Sequence, residues 1–135
     1  MAFIRWDSSL SVGVDKIDEQ HQHLVLMANG LHDAMRQGNG KEHMAKLLMD
    51  LKTYTQEHFS TEEMLMKEHG YPGMLPHVQE HKKLVNQVLE LEESLKTGQA
   101  VITIEVMQFL RDWLTAHIQH SDKRCGEFLA QKGVH

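Results

Sequence analysis

Four stretches of this chain repeat apolar residues at alternating spacings of three and four, and each stripe is broken by histidine or carboxylate where leucine or valine would ordinarily stand. The first stripe is Ile17, His21, Leu24, Ala28, Leu31 and Met35. The second is Met44, Leu48, Leu51, Thr55, His58, Glu62 and Leu65. The third is His77, His81, Leu84, Val88, Leu91 and Leu95, and the fourth is Val106, Leu110, Trp113 and His117, with Asp122 beyond it. This period puts each set on one face of an amphipathic helix, and that face turns to the core. A core-facing ionisable group costs several kcal/mol unless it is paired or bound to a metal. The chain must therefore fold so that His21, His58, Glu62, His77, His81, His117 and Asp122 are jointly satisfied.

The stripes predict helices over about 18–37, 41–68, 75–96 and 103–131, after an irregular arm over about 1–16 pinned by Phe3 and Trp6. Gly38-Asn39-Gly40, His69-Gly70-Tyr71-Pro72-Gly73 and Thr97-Gly98-Gln99 separate them, and Thr103 is placed to cap the last. With 135 residues, two prolines and short connections, the expected fold is all-α. It is a single domain built as an up-down-up-down antiparallel four-helix bundle. In that topology the start of the first helix, the end of the second, the start of the third and the late part of the fourth share one end. The faces and the topology bring the seven side chains to one level.

His58 and Glu62, and likewise His77 and His81, are four apart and share a helix face. Asp122 follows His117 by five, off-face in a regular helix. Joining the same centre requires a break, a π-like turn, or a bridging position to one side. The lone Cys125 excludes thiolate zinc sites and iron–sulfur clusters, and no His-Glu-x-x-His occurs. None of the eleven histidines has a Glu three residues before it, unlike the Glu-x-x-His sites of ferritin-like bundles. Five imidazoles and two carboxylates are too many for one ion and suit two, and the mixture suits iron. On two six-coordinate ions, two bridging carboxylates, one oxo or hydroxo bridge and five imidazoles leave one position open, a place for O2.

Composition narrows the partners. A net charge of −5 with scattered lysines and arginines argues against nucleic acid. No run is long and apolar enough for a membrane span, and Met1-Ala-Phe-Ile-Arg-Trp-Asp7 does not read as a secretory signal. With one cysteine, these features lead to the expectation of a cytoplasmic protein, and polar outer faces to that of a monomer.

The segments Asp18-Glu19-Gln20-His21, His58-Phe59-Ser60-Thr61-Glu62, His77-Val78-Gln79-Glu80-His81 and His117-Ile118-Gln119-His120-Ser121-Asp122 resemble the hemerythrin family in its single-domain bacterial form. The likeness runs from Trp6-Asp7 through the last helix. It implies two non-haem iron ions joined by an oxo or hydroxo bridge, with O2 as a reversible ligand. It implies that His77, His81 and His117 bind one iron, that His21 and His58 bind the other with its open position, and that Glu62 and Asp122 bridge.

Bland readings cover the rest. His23, His32, His43, His69 and His135 read as surface residues, whereas His120, one turn past His117, lies where it can reach a ligand from outside. Trp113, Leu114 and Ile118 read as core, with Leu114 the candidate wall of an O2 pocket. The methionines read as core filler, and Glu90, Glu92 and Glu93 as a solvated face. The leading function is carriage, storage or delivery of O2 to an oxygen-consuming enzyme. The alternatives are a di-iron peroxidase, oxidase or nitric-oxide-handling catalyst, a sensor of O2 or iron, and iron storage. A catalyst wants a titratable proton donor beside the metal. A sensor wants an output domain, and storage wants an acidic nucleation surface; the sequence suggests neither.

Overall fold

A computed structural model describes residues 4–38, 41–97 and 104–135. Phe3, the Asn39-Gly40 and Gly98-Gln99 turns, the Thr103 cap and the side chain of Leu95 lie outside what is described. The fold is an all-α four-helix bundle: α1 spans Asp15–Arg36, α2 Lys41–His69, α3 Met74–Lys96 and α4 Ile104–His117. A π-helical segment, Ile118–Asp122, links α4 to α5, Lys123–Gln131. The fourth stripe is thus three consecutive pieces rather than one regular helix.

The first helix starts at Asp15, earlier than the stripe predicts, because the arm is strapped back over its first turn. The Asp18 carboxylate accepts from the Val12 N–H at 2.8 Å and from the Ser11 hydroxyl at 2.6 Å. The Asp15 N–H donates to the His135 carbonyl at 2.9 Å. Two acids in this first turn, Asp15 and Asp18, also face the positive end of the helix dipole. The end of α2 is closed by Gly70, whose φ of 67° is the left-handed cap conformation. The Tyr71 N–H reaches back to the Met66 carbonyl at 2.9 Å and the Gly70 N–H to Lys67 at 3.4 Å. This Schellman pair turns the chain into α3.

The core is divided. One cluster holds Leu24, Leu31, Leu48, Leu84, Val88, Met107 and Leu110. Another joins the arm to α5 through Leu10, Val12, Val14, Ile17, Met66, Ile118, Cys125 and Leu129. The seven polar residues fall between these clusters along every helix, so apolar packing seals the site from both sides. Trp6 is half-buried and packs against both the α5 cluster and a small one of Ile4, Val25 and Ala28.

Two residues read as solvated are buried. His32 is buried because α1 covers more than one stripe. The arm lies on Val25 and Ala28, and His32 continues that line by one turn. Glu92 is buried because Lys52, on α2, holds it at 3.0 Å across to α3. His23, His43 and His135 are exposed, and His69 is half-buried with its Nδ1–H donating to the Leu65 carbonyl at 2.9 Å.

Asn29 clamps the arm with both ends of its amide. Its Oδ1 accepts from the Ile4 N–H at 2.7 Å and its Nδ2 donates to the Ile4 carbonyl at 2.9 Å. Asn29→Ala is expected to cost about 1–2 kcal/mol, the loss of two modest hydrogen bonds. Urea unfolding checks this, and an unchanged midpoint would mean that the apolar contacts alone hold the arm.

Candidate metal centre

Each site residue reaches the centre from the helix face its stripe defines. His21 comes from the second turn of α1, His58 and Glu62 from the second half of α2, His77 and His81 from the start of α3, and His117 from the end of α4. The π-helical segment supplies Asp122. One residue more per turn brings a side chain five positions on under the same face, which a regular helix cannot do. All seven are almost fully buried, with Glu62 and His21 at 0% exposure.

Their ligand atoms form two overlapping groups, each with every atom within 4.8 Å of the others. One group is Glu62, His77, His81, His117 and Asp122, and the other is His21, His58, Glu62 and Asp122. Both carboxylates belong to both groups. Asp122 Oδ1 lies 2.8 Å from His77 Nε2 and 3.0 Å from His117 Nε2, while its Oδ2 lies 2.9 Å from His21 Nε2. Glu62 Oε1 lies 3.5 Å from His58 Nε2, 3.7 Å from His77 Nε2 and 3.8 Å from His81 Nε2.

Proximity here is mostly not hydrogen bonding. The Nε2 atoms of His21, His58, His81 and His117, both Glu62 oxygens and Asp122 Oδ2 are buried without a hydrogen-bond partner. Among described residues only His77 Nε2 bonds directly, to Asp122. Each unmet buried group costs about 1–3 kcal/mol, more for a charged one. So many at one point fit metal ligation: nitrogen and oxygen lone pairs aim at shared positions between them. The donor set, five imidazoles and two carboxylates, matches a borderline first-row ion such as iron.

The electrostatics agree. Burial pushes the His58 pKa down to about 3, with help from the neighbouring His21 ring. Burial and the rings of His117 and His77 also push His81 well down. Both are neutral imidazoles with a lone pair free to ligate. For His77 burial works downward, but the hydrogen bond it donates to Asp122 and the nearby Glu62 carboxylate outweigh it and raise the pKa to about 10. Burial and the Asp122 charge push Glu62 up. Asp122 is held low against its own burial by His117, then by His21 and His77. A pair of cations would relieve both tensions, replacing the His77 proton and stabilising the Glu62 charge.

Three residues hold the rings from behind. Gln20 Oε1 accepts from His58 Nδ1 at 2.6 Å, Glu63 Oε2 from His81 Nδ1 at 2.9 Å, and Glu80 Oε2 from His117 Nδ1 at 3.1 Å. With Nδ1 donating outward, each Nε2 is left deprotonated toward the centre. Sequence reading missed all three. Their only signal is adjacency: Gln20 precedes His21, Glu63 follows Glu62 and Glu80 precedes His81, yet each serves a ring on a different helix. His120, weighed for such a role, is exposed, and Glu80 takes it instead. Two rings are also stacked: Phe59 on His81 at 3.7 Å and 5°, and Trp113 on His117 at 4.8 Å and 13°.

Beside the centre is a cavity of about 40 Å³. Its walls are mostly apolar, including Leu24, Leu84, Leu110 and Leu114, and it touches His21, His58, His117 and Asp122. That volume exceeds the room one water needs and accommodates a diatomic molecule. Ile118 is buried with the α5 cluster and does not line it.

The sequence pattern of the hemerythrin HHE cation binding domain matches residues 12–128. The chain is 35% identical over 131 residues to a bacteriohemerythrin of Methylococcus capsulatus, covering 96% of this chain and 99% of that protein. It is 36% identical over 124 residues to one of Pseudomonas aeruginosa, covering 90% of this chain and 78% of that one. A hemerythrin-like protein of Naegleria gruberi is 34% identical over 88% of this chain and 87% of its own length. A crystal structure of wild-type hemerythrin superposes with a TM-score of 0.91 at 34% identity, covering 96% of this chain and 99% of that one.

Proposed function

This chain belongs to the hemerythrin family, and on that premise we propose that its centre holds two non-haem iron ions and binds O2 reversibly, for carriage, storage or delivery to an oxygen-consuming enzyme. The observation that carries the reading is the set of unpartnered nitrogen and oxygen atoms beside an apolar cavity. His77, His81 and His117 would hold one ion, His21 and His58 the other, and Glu62 and Asp122, which belong to both groups, would be shared. Such a pair, with the oxo or hydroxo bridge proposed for it, would supply the electrons that O2 takes up and gives back. The chain's own residues decide whether that loan is reversible. The cavity meets both rings of the His21–His58 half, which has the fewer nitrogen ligands, against His117 alone of the other three, and its mostly apolar walls offer water few partners. Apart from the centre's own residues, the one titratable side chain among the described lining residues is Lys52, and Glu92 holds its ammonium at 3.0 Å. A site this short of proton donors favours release of O2 over its reduction, and so carriage over an oxidase or peroxidase.

The same reading places the protein free of membranes and nucleic acid, as a monomer in the cytoplasm. On the membrane alone, no helix among the described residues is long and apolar enough to cross one.

The test is the visible spectrum of the reduced, iron-loaded protein under argon, after air, and again under vacuum. A band that appears with air and fades under vacuum is expected. Immediate and permanent conversion to the oxidised spectrum would overturn carriage in favour of a catalyst. Leu114 is half-buried, packs against the core clusters and lines the cavity. Leu114→Ala is expected to admit water and speed spontaneous oxidation of the air-exposed protein about tenfold, as for a barrier lowered by about 1.4 kcal/mol. An unchanged rate would reduce Leu114 to packing alone.

A further inference from the structure

The two halves of the centre are not supported alike. In the half formed by His77, His81 and His117, two of three imidazoles are fixed on two sides. His81 donates Nδ1–H to the Glu63 carboxylate at 2.9 Å and lies flat against Phe59. His117 donates to the Glu80 carboxylate at 3.1 Å and lies against Trp113. Glu80 is itself fixed, since the Ser121 hydroxyl donates to the same oxygen at 2.5 Å. Ser121 sits in the π-helical segment one residue before Asp122, so the wide turn that delivers the carboxylate also secures the partner of His117.

The other half is looser. His58 has a neutral amide partner, Gln20, in place of a carboxylate. His21 Nδ1 is buried with no hydrogen-bond partner. This half also has two imidazoles rather than three. A ligand already held in its binding rotamer loses little freedom on coordination, and a carboxylate behind an imidazole makes the ring a stronger donor.

We infer that the centre fills in order: the His77–His81–His117 half takes the first metal ion, with Glu63 and Glu80 as its positioning residues, and the His21–His58 half takes the second. The ordering rests on the proposed two-ion centre and adds an inequality that the ligand list does not contain. Glu63 and Glu80 are substantially exposed, at 33% and 49% of side-chain area, so they can be changed without opening the core.

The experiment is an anaerobic titration of metal-free protein with cobalt(II), each equivalent followed by its visible ligand-field bands, with affinities from chelator competition. Wild type is expected to bind two ions in separated steps, the first at least about tenfold tighter. Glu63→Ala and Glu80→Ala should each weaken the first step by about 10–100-fold, the usual effect of losing an outer partner, and draw the two steps together. Glu80→Gln, which keeps an acceptor oxygen, should recover part of the loss. Gln20→Ala should weaken the second step alone. A general packing defect would lower both steps together and would not be rescued by glutamine. Two equal steps in wild type, or alanine variants that weaken both steps alike, would overturn the ordering while leaving the two-ion centre standing. Fewer than two bound ions in wild type would overturn the centre itself, and the ordering with it.

Discussion

His77→Ala is expected to leave a folded bundle that holds no stable metal pair. Among the described residues His77 is the one ring within 4 Å of both carboxylates through a single nitrogen, 2.8 Å from Asp122 and 3.7 Å from Glu62. Its loss removes one of three imidazoles from the better-supported half and leaves both carboxylates without that neighbour. An inner ligand should count for more than the 10–100-fold typical of an outer partner, so affinity should fall by more than about 100-fold. Metal analysis after gel filtration should find less than one ion per chain. Stability supplies a second readout. An ion present at a hundred times its dissociation constant adds about 2.7 kcal/mol to the folded state. Wild type should therefore melt well above its metal-free form, and the variant should melt at the same temperature with and without iron. Two ions per chain in His77→Ala would refute its assignment as a ligand.

Gly126→Ala is expected to destabilise the protein by about 3 kcal/mol, the upper range for overpacking a tight site. Gly126 is buried where α5 meets the arm. A β-carbon there would clash with the Val12 carbonyl oxygen and come within 2.8 Å of Val12 Cβ and 2.9 Å of its carbonyl carbon. Most of those atoms are backbone, so no side-chain rotation relieves the contact. The Val12 segment is also tethered, because its N–H is bonded to Asp18. Equilibrium unfolding in urea measures the loss, and a midpoint within error of wild type would show that the arm shifts at little cost. The loss should exceed that of Asn29→Ala, which removes two hydrogen bonds without forcing the backbone apart.

Much of the site was legible in the sequence because its information is periodic. His21, His58, Glu62, His77, His81 and His117 occupy stripe positions, and a stripe fixes a face. Asp122 was legible in a different way: its spacing of five called for a break, a π-like turn or a bridging position to one side, and the chain has a π-helical turn at Ile118–Asp122. What escaped was lateral. His32 and Glu92 lie off the stripes: His32 continues the line of Val25 and Ala28, and Glu92 is held by Lys52 on the next helix, placements that a single helical period does not record. Gln20, Glu63 and Glu80 look like ordinary surface residues until the packing of one helix on the next brings foreign rings to them. The early start of α1 depends on Asp18 reaching back to residues 11 and 12, a tertiary contact that no cap motif announces.

The spread of the centre along the chain has a consequence for how the molecule is made. Its residues run from position 21 to position 122, so closing the site means closing nearly the longest loop the chain offers, at an entropic cost that no early fragment can recover. A nascent chain leaving the ribosome can form α1, α2 and α3 and still lack His117 and Asp122. An ion captured at that stage would find an incomplete coordination sphere and a small barrier to escape. Durable capture of metal is then the last event of maturation, and a loaded centre certifies that all four helices have found their places.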